Sequence, residues 1–167
     1  RDLLDLCKSP YLFSDIDESE RKAAVYALET AIREASVKAG LPRIRRSLLE
    51  ADVGDVKSLG LDLLDRVEAA TTLLRSKPAP LARWINRLHK ALEVLGALEP
   101  LADDVAGRAL LDLLETRRRE LEGNAAVFSF NAWRDWLNRE FEAASFRDGS
   151  ISSPIVITPL NAVCLRR

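Results

Sequence analysis

The chain has 167 residues, with 25 Lys and Arg against 26 Asp and Glu and a net charge of −1. That length fits one domain with a core of its own, and near-neutral charge excludes a bulk-electrostatic nucleic-acid binder while leaving local patches open. Hydrophobic residues make up 47% and charged residues 31%, an ordinary globular balance, and no apolar run approaches the roughly 18 residues of a membrane span.

Residues 1–8 read as the end of a helix carrying Leu3, Leu4 and Leu6. Ser9-Pro10 stops it, because the residue before proline is pushed out of the α region. Tyr11, Leu12 and Phe13 form an apolar plug in a loop. Asp17 or Ser19 caps the next helix, where Val25, Leu28, Ile32 and Ala35 share a face. Gly40 with Pro42 is expected to end it. Residues 43–50 predict a short basic helix, and Gly54 separates it from a longer one striped by Leu59, Leu63, Leu64, Val67, Ala70 and Leu74. The segment 77–80, with Pro78 and Pro80, is a break. Pro80 opens the cleanest amphipathic helix, with Leu81, Trp84, Ile85, Leu88, Leu92 and Leu95 on one side. Gly96 and Pro100 bracket its end.

Asp103 and Asp104 favour a further N-terminus through the helix dipole. Val105, Ala109, Leu110, Leu113, Leu114 and Leu121 give that helix its apolar side, and Gly123-Asn124 closes it. Residues 125–130 are short and apolar, open to strand or linker. Ser129 or Asn131 caps the last helix, faced by Trp133, Trp136, Leu137, Phe141 and Ala144. A turn at 147–150 leads to a strand at 154–158 built on Ile155, Val156 and Ile157. The fold class is therefore mainly α, a bundle of five to six helices over about two thirds of the chain with one short C-terminal strand.

There is no methionine, and the chain begins at Arg1. Both set the expectation of a processed chain or a piece of a larger protein. The strand sharpens it. Three consecutive apolar residues fit a strand buried on both faces of a parallel sheet, and a single strand leaves its backbone groups unpaired. Within these residues only 125–130 offers a partner. The helical body then reads as an insertion in an α/β domain. A frayed tail or a two-stranded patch is the alternative.

Two cysteines, Cys7 and Cys164, make neither a disulfide framework nor a metal knuckle. They read as ordinary semi-buried thiols of a reducing, cytoplasmic setting, with no signal peptide at 1–6. His89 and Glu93 have the spacing of a helical metal pair, but two ligands do not make a site; a solvated helix face is the better reading. The carboxylate pairs Asp103-Asp104 and Asp62/Asp65 lack a base, and read as caps and surface charge. Trp84, Trp133 and Trp136 lie on apolar stripes and read as core before stacking platforms. Arg43, Arg45 and Arg46 form one basic cluster and Arg117, Arg118 and Arg119 another, with Arg134 and Arg139 able to extend such a face. Each is a candidate for phosphate contact; solvated helix ends complementing the dipole are the alternative.

The segment VITPLNAVCLR at 156–166 resembles a motif of UvrD/RecB-type DNA helicases, in which a strand runs into Thr-x-His-x-Ala-Lys-Gly-Leu-Glu. Thr158, Ala162 and Leu165 match the Thr, Ala and Leu. Leu160 stands in place of the His, Val163 of the Lys, Cys164 of the Gly and Arg166 of the Glu. LLDLCKSPYLF at 3–13 resembles the leucine-rich helix and Lys-Ser-Pro-Phe that lead into the accessory helical domain of AddB-like helicase-nuclease subunits. FNAWRDWL at 130–137 resembles the last helix before the motif. The resemblance covers the chain in layout and about thirty residues in motif. It implies a helical accessory subdomain at 1–153, similar to a 2B subdomain, and the start of the following helicase-like α/β domain at 154–167.

The resemblance further implies a bacterial DNA repair protein joining helicase-like and exonuclease regions and acting in recombination. Its partners would be single-stranded or forked DNA, other subdomains or a partner helicase-nuclease subunit, with no membrane. ATP and Mg²⁺ would belong to the parent, with no cofactor in these residues: there is no Gly-Lys-Ser or Gly-Lys-Thr phosphate loop. Leu160 and Val163 cannot donate or carry charge, which implies a degenerate motor. Thr158 joins the six arginines above as a DNA-contact candidate, and no residue is a catalytic candidate. The alternative is a free-standing helical protein-interaction module with no nucleic-acid role.

Overall fold

The computed structural model describes residues 2–34 and 40–144. The described chain is mainly helical. Eight helices form: α1 (Asp2–Cys7), α2 (Glu18–Glu34), α3 (Leu41–Glu50), α4 (Lys57–Leu74), α5 (Leu81–Val94), α6 (Leu98–Asp103), α7 (Val105–Glu120) and α8 (Phe130–Ala143). A 3₁₀ turn at Gly54–Val56 precedes α4. Two short strands, β1 (Ala79–Pro80) and β2 (Val127–Phe128), pair antiparallel.

Local chemistry sets most boundaries. Of the two candidate caps before α2, Asp17 is used: its Oδ1 accepts from the Ser19 backbone N–H at 2.8 Å. Asp104 caps α7 by accepting from the Gly107 N–H at 2.7 Å, and Ser129 caps α8 by accepting from the Ala132 N–H at 3.3 Å. Each satisfies an N-terminal donor that the helix itself cannot. The expected end of the second helix before Gly40 and Pro42 falls at 35–39, outside the described residues. Gly40 is the residue flanking α3, and Pro42 lies in its first turn, where a missing N–H costs nothing. Lys57 Nζ donates to the Leu49 carbonyl at the other end of α3, at 3.0 Å.

Two hydrophobic clusters organise the helices. The first gathers Cys7, Leu12, Phe13, Leu28, Leu48, Leu63 and their neighbours from α1 to α4, together with Ala97 from beyond α5. On α2 the small residues Ala24, Ala27 and Ala31 are buried beside Val25 and Leu28. They let α3 and α4 approach closely. The second cluster joins Ala79, Leu81, Trp84, Ile85, Leu114, Trp133 and Leu137. α5 packs on α4 to one side and on α7 to the other. α6 lies tight against α7: a Cβ on Gly107 would meet the Leu101 carbonyl oxygen at 2.3 Å.

Trp84 is wholly buried. Its ring stacks on Trp133 at 5.2 Å between centroids and meets the edge of Phe130 at 6.0 Å. Such pairs add roughly 0.5–1.5 kcal/mol beyond burial. Its Nε1 donates to the Phe128 carbonyl at 2.9 Å, tying α5 to β2. Trp136 is half-buried beside this cluster, so all three tryptophans serve packing.

The plug expected at 11–13 also exists. Phe13 is 0% exposed, and its N–H donates to the Leu95 carbonyl at 2.7 Å. Ser14 Oγ donates to the Gly96 carbonyl at 2.7 Å. Arg21 Nη1 donates to the Leu12 carbonyl at 2.7 Å. The loop is thereby pinned on the turn between α5 and α6, while Tyr11 stays exposed.

Other expectations need correction. The described residues hold eight helices, not five to six: α6, six residues long and too short to show a period, was not expected, and the helix end read at 1–8 stands as the separate short helix α1. The break at 77–80 holds β1, and its partner is 127–128, so the segment 125–130 pairs with the chain before α5. Pro80 tolerates this because β1 is an edge strand. Val105 and Ala109, assigned to the buried side of α7, are exposed, Val105 by 56%. Cys7, expected half-buried, is 1% exposed, and burial pushes its thiol up to about 11. The expected strand at 154–158, the motif to 166 with Thr158, and Cys164 lie outside the described residues. Among the described residues, no helix is long and apolar enough to cross a membrane.

Candidate nucleic-acid interface

The six arginines read from the sequence fall into two unlike groups. On α7, Arg117 meets Glu120 and Glu140, each at 2.6 Å. Arg118 forks onto Glu115 at 2.7 and 2.9 Å. Arg119 reaches the same Glu115 at 2.7 Å. The Arg118 and Arg119 guanidiniums hold the Glu115 carboxyl at about 2, and its neighbours raise Arg117. The α7 cluster is thus largely neutralised by carboxylates of its own helix and of α8. A phosphate would have to displace them, at the cost of leaving those carboxylates unpaired.

The α3 cluster is split. Arg45 faces α4 and pairs with Asp65 and with Glu68, the latter at 3.0 Å. Arg43 and Arg46 are exposed and form no ion pair with a described residue. Of the residues named as extensions, Arg134 pairs with Asp135 at 3.2 Å, and Arg139 is exposed on α8. The carboxylates behave as expected of surface charge. Asp62 pairs with Arg66 at 2.9 Å, and Asp104 is a cap. His89 and Glu93 are both exposed. Among the described residues no group of three or more His, Cys, Asp or Glu is placed to hold a metal ion.

A further basic face lies on α5, where sequence reasoning weighed the apolar side and the His89–Glu93 pair but not the cations. Arg83, Arg87 and Lys90 follow each other at four and three residues, so they form one stripe opposite buried Leu81, Trp84, Ile85 and Ala91. Arg83 and Lys90 are exposed. Arg87 is half-buried, with its Cζ 4.5 Å from the Trp84 ring centre and its Nη1 donating to the Lys77 carbonyl at 2.9 Å. Burial, and then the charge of Arg83, press its pKa down. None of the three pairs with a described carboxylate. The signal was present in the sequence: α5 holds one acidic residue, Glu93, whereas Glu115 precedes Arg118 and Arg119 on α7 at three and four residues.

Beside the α7 ion pairs, an open apolar groove of about 570 Å³ runs between α7 and α8, floored by Leu110, Leu113 and Phe141 and ending at Ala144. Comparison of the chain with protein-family models, with the curated proteins and with the solved structures returns no match.

Proposed function

We propose that the chain is a non-catalytic helical subdomain of an AddB-like DNA repair helicase-nuclease, positioning DNA or partner subdomains. The observation that supports this most is the placement of the two described segments that carry the resemblance. The lead-in segment 3–13 ends at the C-terminal end of α5, through Phe13 on Leu95. The segment 130–137 packs at its N-terminal end, through Phe130 and Trp133 on Trp84. α5 is therefore a strut between the points where the chain enters and leaves the helical body. An insertion that must hold a fixed attitude to its parent needs such a strut. The groove between α7 and α8 opens at Ala144, where the chain goes on toward 154–167, a suitable seat for an adjoining subdomain.

The test is retention of single-stranded or forked DNA by the 167-residue chain. Binding at low salt that falls away at moderate salt is the expected result. No retention at low salt, by the chain or by the longer protein containing it, sinks the nucleic-acid reading and leaves the helical protein-interaction module, which the apolar groove also favours.

A further inference from the structure

The stripe on α5 differs from the other basic groups in being both unneutralised and pre-positioned. Arg117, Arg118 and Arg119 of α7, with Arg45 and Arg66, each have carboxylate partners. α5 contains no aspartate, and its one glutamate, Glu93, pairs with none of the three cations. Arg87 is moreover fixed on the indole face of Trp84 and on the Lys77 carbonyl. A guanidinium held this way loses little freedom on meeting an anion. Arg83 and Arg87 lie one turn apart and repel each other, a cost that an external anion would relieve.

The repeat of the stripe fits a regular polyanion. From Arg83 to Lys90 the helix rises roughly 10 Å. A nucleic-acid strand carries phosphates at short regular intervals, so cations spread over this length can meet neighbouring ones. An isolated phosphate would need the cations to converge, and three residues along one helix line do not converge.

We propose that Arg83, Arg87 and Lys90 on α5 contact the sugar-phosphate backbone of a nucleic-acid strand, in place of Arg117, Arg118 and Arg119. This rests on the DNA-positioning reading above and assigns it a surface. Because α5 is also the strut between the lead-in and lead-out segments, a strand seated on it would be referred directly to both ends of the helical body.

The experiment uses the 167-residue chain and fluorescence anisotropy with a labelled single-stranded oligonucleotide and a labelled fork, over a salt series. Three double variants are compared: Arg83→Gln with Lys90→Gln, Lys22→Gln with Arg33→Gln at exposed cations of α2 that already pair with Glu18 and Glu29, and the charge-keeping Arg83→Lys with Lys90→Arg. Circular dichroism checks that each is folded. The first pair is expected to weaken binding about tenfold or more, and to flatten the slope of log K against log salt by roughly 1.4 to 1.8 for two lost phosphate contacts. The second pair leaves both unchanged, and the third restores binding. If the first pair matches the second while the wild-type chain binds, this surface is wrong and the DNA reading stands. If neither the wild-type chain nor the longer protein containing it binds at low salt, both fall; if only the longer protein binds, this surface is wrong and the DNA reading stands. If the first pair loses binding to poly-L-glutamate but not to DNA, the stripe serves an acidic protein and the proposal is overturned.

Discussion

Gly96 offers a sharp test of the docked loop. It sits at a φ of 63°, a region that L side chains rarely adopt. A Cβ there would lie 2.6 Å from Asp15 Oδ1, 3.3 Å from the Phe13 Cα and 3.3 Å from the Ser14 nitrogen. Asp15 is not free to swing away, since Arg66 holds its two oxygens at 2.8 and 2.7 Å. Gly123 has a φ of 90° and nothing within 4 Å of a built Cβ. Alanine at either site meets a backbone penalty of about 1–2 kcal/mol. At Gly96 the loop must also retreat, weakening the Phe13 and Ser14 hydrogen bonds at about 1 kcal/mol each. The exposed Asp15–Arg66 pair adds at most about 1 kcal/mol. Gly96→Ala is therefore expected to exceed Gly123→Ala by about 2 kcal/mol, or roughly 4–8 °C in Tm for a chain of this size. Urea and thermal unfolding, followed by circular dichroism, measure both. Losses equal within about 0.5 kcal/mol would refute the close approach of the loop to this turn.

Three further outcomes follow from the same structure. Trp84→Phe removes the donor to the Phe128 carbonyl, whereas the buried Trp133 Nε1 has no partner. Trp133→Phe should thus be milder by about 1–2 kcal/mol in urea unfolding, and equal losses would count against the α5–β2 bond. Glu115 is held near 2 by Arg118 and Arg119. Its folded pKa lies below the unfolded one, so its contribution is present above about pH 5 and is lost as pH falls toward 2. Glu115→Gln should flatten the acid limb of stability over that window, and an unchanged limb would contradict the α7 network. Cys7, buried with its thiol raised to about 11, should resist a thiol reagent at pH 8 in a Cys164→Ser chain and react once urea unfolds it. Rapid labelling of the native chain would show the α1–α2 packing to be wrong.

What could be read from the sequence was set by local chemistry. The leucine stripes of α4 and α5 and the caps Asp17, Asp104 and Ser129 need only neighbours along one helix, and they stand where expected. The pairing of Ala79–Pro80 with Val127–Phe128 was illegible, because it joins two-residue segments nearly fifty residues apart. α6 hid behind Pro100, which reads as a stop but sits early in that helix. For the basic clusters the sequence showed the cations and half of their partners. Glu115 precedes Arg118 and Arg119 at three and four residues, a spacing that pairs them. Glu140 and Asp65 reach Arg117 and Arg45 across helices, which only the fold reveals.

The anchorage of Phe13 on Leu95 and of Ser14 on Gly96 also bears on how the chain is made. The contact between Ser14 and Gly96 spans 82 residues, and closing a loop of that length costs about 4 kcal/mol in chain entropy. During synthesis α1 to α4 leave the ribosome first, and Leu12 and Phe13 have no seat until residues 95–97 follow. Ala97, Leu92, Leu95 and Leu101 complete the first cluster from the far side of α5. A fragment ending at α4 would expose that apolar surface, so the first cluster closes only once α5 and the turn after it have been made.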